Sequence, residues 1–140
     1  MRSLAFVLLA TPATAWEASR EGPVCLLTHK MENAEIRVSH DAANAVPYAI
    51  DLKLEGGWQD GPIFAIRFDG PWPLTITTDQ HALSNETLTV TDTGFGNVLD
   101  GIARNHVALA FTGETALVVP LAGAAPEVEA FKSCAANIGV

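Results

Sequence analysis

The chain has 140 residues, of which 49% are hydrophobic and 17% charged. That length suits one domain, and the apolar content excludes a disordered chain, which combines low hydrophobicity with high charge density. Lys and Arg number 8 against 16 Asp and Glu, for a formal net charge of -8, which argues against nucleic-acid binding because phosphate contacts need clustered cations.

The first segment reads as an export signal. Arg2 is the charged start, Leu4 to Ala10 the short apolar run, and Pro12 the break. Ala13-Thr14-Ala15 supplies small residues at the two positions a signal peptidase reads. Residues 1–15 are therefore expected to be removed, leaving a single β-rich domain over 16–140. The apolar run is much shorter than the roughly 20 residues that span a bilayer, and no later segment is long and apolar enough to do so. The mature protein is expected to be soluble, in the periplasm or secreted.

The next apolar run begins at Cys25-Leu26-Leu27 and should form the first strand. Ala34 to Ser39 and Ile50 to Glu55 alternate apolar and polar residues. Phe64, Ile66 and Phe68 point one way, Arg67 and Asp69 the other. Leu74 to Thr78 and Thr87 to Thr91 repeat the pattern with β-branched residues. A period of two marks strands with one buried and one wet face. Gly56-Gly57, Asp60-Gly61-Pro62, Asp69-Gly70-Pro71 and Asn85 punctuate the runs as turns. A short helix is expected over Gly96 to Asn105, capped by Asn97 and burying Val98, Leu99 and Ile102, with Gly101 weakening it. Strands over Val107 to Phe111 and Thr115 to Leu121 follow, joined at Gly113-Glu114. Pro126 suits the first position of a C-terminal helix, and Val128, Phe131 and Cys134 form its apolar stripe. The fold expected is mainly β, an antiparallel β-sandwich or small barrel with a C-terminal α-helix.

Cys25 and Cys134 are the two cysteines. In an exported protein they read as one disulfide tying the first strand to the last helix. Two free thiols or a metal pair are the alternatives, and the absence of CxxC or HxxxH spacing weakens the metal.

Candidate chemistry is sparse. Ser39-His40-Asp41 is not a triad, because neighbours on a strand point to opposite faces. Asp79-x-His81 would place two ligating side chains on one strand face, with a third ligand to come from elsewhere. Asp92-Thr93-Gly94 matches the Asp-Thr-Gly of aspartic proteases in one copy, and a turn explains it equally well. No zinc, EF-hand or nucleotide-binding motif is present, so no metal, cofactor or catalytic residue is assigned. The most unusual segment is Thr91 to Asn105, with three glycines alongside Asp92, Asn97, Asp100 and Arg104. It is either a binding loop on a rigid scaffold or a corner crossing between sheets. Its glycines imply positive φ or close backbone approach. Trp58 and Trp72 offer a second candidate, an exposed aromatic rim for a partner.

The stretches Gly61 to Pro71, Leu88 to Gly101 and Val119 to Pro126, with Phe131 and Cys134, resemble a family of short exported alphaproteobacterial proteins. Some of its members carry the name of excinuclease B, a helicase component of excision repair. This chain has no Walker A motif and far too few residues for helicase domains. More distantly, the strand pair, Val119-Pro120-Leu121, small residues, helix and late cysteine are similar to the end of the invasion-associated locus B family of periplasmic proteins, whose further cysteines are missing here. The resemblance implies a compact exported β-domain and transfers no catalytic residue. The functional expectation is a non-catalytic binding or accessory protein, with a protein or an envelope component as partner. The rival is a small secreted hydrolase or metal-dependent enzyme using Asp79 and His81 or the Asp92–Asp100 loop.

Overall fold

A computed structural model describes residues 15–137; the expected export signal, apart from Ala15, lies outside them. Ten strands and two helices run in the order β1 (Glu17–Glu21), β2 (Val24–Lys30), β3 (Ala34–Asp41), β4 (Tyr48–Leu54), β5 (Phe64–Asp69), β6 (Leu74–Thr78), β7 (Ala82–Ser84), β8 (Thr87–Asp92), α1 (Gly96–Arg104), β9 (Val107–Thr112), β10 (Thr115–Pro120) and α2 (Ala124–Asn137). They form a six-stranded sheet, β1-β2-β3-β4-β8-β7, and a four-stranded sheet, β10-β9-β5-β6. Every pairing is antiparallel. The sheets stay separate, so the architecture is the sandwich and not the barrel.

Strand alternation decides which face is buried. Ile36 pairs with Leu52 and Val38 with Ile50, while Leu52 and Ile50 pair in turn with Leu88 and Val90. This row shares one face of the larger sheet. Phe64, Ile66, Phe68, Ala108, Ala110, Leu117 and Val119 supply the facing layer from the smaller sheet. Six strands are wider than four, and the helices cover part of the difference. Val98, Leu99 and Ile102 of α1 and Ala124, Val128 and Phe131 of α2 join the same core. Asp100 of α1 and Lys132 of α2 lock the helices together through a 3.0 Å ion pair.

The disulfide is formed. Cys25 lies fully buried in β2 with its Cα 6.0 Å from that of Cys134 in α2. The strand carrying Cys25 is the second, because the charged segment Glu17–Glu21 pairs along it as β1. α2 begins at Ala124, which puts Pro126 in its third position instead of the first.

Gly101 does not merely weaken α1. A Cβ there would sit 2.6 Å from Cδ2 and Cε2 of the buried Phe68 ring. Helix propensity alone favours Ala over Gly by about 1 kcal/mol. Gly101→Ala is nevertheless expected to lower stability by about 1–3 kcal/mol, since the ring is boxed in and overpacking wins. Urea unfolding of Gly101→Ala, Phe68→Leu and the double variant checks this: the double should be more stable than the sum of the single costs allows.

Candidate functional site

Along the sides of β8 and β6 the two sheets part. Val90 pairs with Ile50 and Ile76 with Ile66, so both face inward. Ile50 and Ile66 are buried, yet Val90 and Ile76 are only half-buried. The space between them is a cleft of about 650 Å³. Its apolar lining comes from Ile50, Phe64, Ile66, Ile76, Val90, Phe95 and Val98, and its polar groups from Thr77, Thr78, Gln80, Thr91, Asp92 and Asn97. The volume and the mixture, an apolar lining with a few polar groups, are those of a small-ligand site.

The loop from β8 into α1 forms part of the lining. Phe95 is the N-cap residue of α1, with no side-chain cap bond, and Asn97 lies inside the first turn instead of capping it. Phe95 turns into the core, its ring centroid 5.5 Å from that of Tyr48, which anchors the loop. The flanking Gly94 and Gly96 have no positive φ, and a Cβ on either would meet nothing within 4 Å. Close approach in this segment belongs to Gly101 alone; Gly94 and Gly96 line the cleft with backbone and leave room there for a side chain. Asp92 holds the start of the loop by accepting the Thr93 amide at 2.6 Å.

The residues singled out from sequence separate into two groups. Asp92 and Asn97 line the cleft. Asp100 is engaged by Lys132, and the Arg104 guanidinium stacks 5.1 Å from the centre of the Trp72 ring. The two tryptophans do not share a rim. Trp72 is 37% exposed, whereas Trp58 is buried, donates its indole N–H to the Leu52 carbonyl at 2.9 Å and meets Phe64 edge-on.

His81 finds a partner that sequence spacing does not reveal. Its Nε2 lies 3.0 Å from Asp60 Oδ1 and 3.1 Å from the Gly61 carbonyl. Both are acceptors, so Nε2 donates. Asp79 instead accepts from Gln80. His40 is buried against Tyr48, while the neighbouring Asp41 turns its carboxylate to the Ala43 amide. His29 stacks on Trp16 with ring centroids 4.8 Å apart. Burial pushes the His29 pKa below the ordinary imidazole value, opposed by a backbone hydrogen bond at Ala15. Among the described residues, no group of three or more His, Cys, Asp or Glu side chains converges as metal ligands would. Among the described residues, Asp92 is the one ionisable side chain lining the cleft. No helix among the described residues is long and apolar enough to cross a membrane.

Compared with protein-family models, curated proteins and solved structures, the chain matches none of them.

Proposed function

We propose that the protein is an exported, non-catalytic binding protein of the periplasm or the secreted fraction. Its site is the cleft between the sheets, and its ligand an envelope component with an apolar part. The cleft carries this reading: Val90 and Ile76, which face the sandwich interior, stay half-buried over a buried apolar floor, beside the neutral hydrogen-bonding groups of Thr77, Thr78, Gln80, Thr91 and Asn97. Among the described residues the lining holds no Lys or Arg and one carboxylate, Asp92, which favours a neutral ligand over an anionic one. A single ionisable group gives no acid–base pair for hydrolysis. Export rests on the Arg2, Leu4 to Ala10 and Ala13-Thr14-Ala15 order, on the resemblance to short exported proteins, and on a disulfide that suits an oxidising compartment.

Protein recovered from the periplasm tests both parts. Intact mass should correspond to a chain beginning at Trp16, and full-length cytoplasmic chain would overturn the export reading. The neutral probe N-phenyl-1-naphthylamine should bind saturably with one site per chain. Val90→Trp, which fills the cleft from β8, should abolish binding while the far-ultraviolet spectrum stays unchanged. Gly94→Phe, which narrows it from the loop without a backbone clash, should weaken binding and guards against misfolding of the first variant. Absence of saturable binding, or binding indifferent to both changes, overturns the cleft as the site.

A further inference from the structure

Among the described residues the two sheets end in four edge strands, β1 and β7 in one, β10 and β6 in the other. A free edge pairs with any other free edge unless something prevents it. β1 carries Glu17, Arg20 and Glu21, and β7 is three residues long. β6 follows Pro71 and Pro73 and has α1 packed beside it. β10, Thr-Ala-Leu-Val-Val-Pro, has six residues, no charge, and no proline before its last position.

The direction of its backbone groups follows from the hairpin. Thr112 and Thr115 flank the two-residue turn at Gly113 and Glu114, so Thr115, Leu117 and Val119 aim their N–H and C=O at β9. The Leu121 amide continues that parity by donating to His106 at 3.1 Å. Ala116, Val118 and Pro120 therefore aim theirs outward. The Pro120 carbonyl confirms it by accepting the Trp16 indole N–H at 3.0 Å. Trp16 and the proline close that end of the edge, leaving the outward groups of Ala116 and Val118 with no strand beside them among the described residues. Their side chains lie on the outer face, where Val118 is 60% exposed next to Leu109 and Phe111.

We propose that β10 pairs antiparallel with β10 of a second copy of this chain, about a two-fold axis at Leu117. In that register Ala116 stands opposite Val118 of the second copy, and each such pair exchanges both its N–H···O=C bonds. The four-stranded sheets join into one, and Val118 packs on Ala116 across the axis. Charge selects this face for self-association. A chain with a net charge of -8 repels its own kind, so a contact between copies belongs where charge is absent. The register sets Glu114 opposite Pro120 and brings no two carboxylates of the strand together.

Sedimentation of the oxidised mature protein from micromolar to millimolar concentration tests this. A reversible dimer that tightens with added salt is expected. Val118→Pro removes an outward N–H and no bond to β9, so the monomer should keep its fold while dimer affinity falls about a hundredfold. Val118→Lys, which places a hydrated cation in the same contact, should abolish the dimer. A protein monomeric throughout, a dimer indifferent to both variants, or pairing only with a strand of another protein overturns the proposal. Probe binding in the cleft is independent of this result.

Discussion

Replacing Cys25 or Cys134 by Ser should lower the unfolding free energy by about 4 kcal/mol, a large part of the net stability of a small domain. The bridge spans 109 residues. In the chain-entropy argument, opening a loop of about 100 residues releases about 4–5 kcal/mol to the unfolded state. The folded state gives little of that back, because α2 has other anchors. Val128 and Phe131 are buried without the sulfur bond, Glu127 accepts the Ala18 amide at 2.9 Å, and Lys132 reaches Asp100. The cost should therefore appear in the urea midpoint with native near-ultraviolet spectra preserved. The double variant should cost no more than either single, and the unmodified protein in dithiothreitol should fall to the same level. Two free thiols in native exported protein, or a midpoint insensitive to reductant, would refute the bridge.

That bond was legible before the structure because it depends on few signals: two cysteines, one of them on a helical stripe with Val128 and Phe131. The strands β3, β4 and β5 were equally plain, since Ala34 to Ser39, Ile50 to Leu54 and the row Phe64, Ile66 and Phe68 all recur with a period of two. β1 was not, because Glu-Ala-Ser-Arg-Glu has no apolar alternation and becomes a strand by pairing Glu17 to Glu21 along β2. Nor was β7, whose three residues are held by β8. The cleft was half legible. The loop around Asp92 and Asn97 stood out by composition, but its opening depends on how far Val90 and Ile76 separate across two sheets, which no local pattern encodes. The pairing of His81 with Asp60, 21 residues away, and the burial of Trp58 are likewise set by which elements pack together. Asp100 and Arg104 looked like candidates for chemistry because their partners, Lys132 and Trp72, lie about 32 residues away in sequence, beyond any helix or hairpin spacing.

Asn105→Asp should cost about 3 kcal/mol at neutral pH, although it changes one atom. Asn105 sits at the C-terminal end of α1 and is 7% exposed. Its Oδ1 accepts the Trp72 amide at 3.0 Å, and its Nδ2 donates to the Trp72 carbonyl at 2.8 Å and the Gly101 carbonyl at 3.0 Å. One side chain thus pins the β5–β6 connection to the last turn of the helix. An aspartate keeps the first bond and loses both donors. Ionised, it faces two carbonyl oxygens and the negative end of the helix dipole; protonated, it has one O–H for two acceptors. Asn105→Ala removes all three bonds without adding charge and should cost about 2 kcal/mol at any pH. The two variants differ in their response to acid. Burial among acceptors raises the folded-state pKa of the introduced carboxyl above its unfolded value. Its protonated form therefore supports the fold below the unfolded pKa, and that support is lost as pH rises through the folded one. Urea unfolding of both variants from about pH 4, near an ordinary carboxyl pKa, to about pH 8 should show the aspartate penalty growing with pH against a flat alanine penalty. Trp72 emission should shift in both, since its backbone is what the amide holds. An aspartate variant as stable as the parent at neutral pH would mean that the connection is held by something other than Asn105.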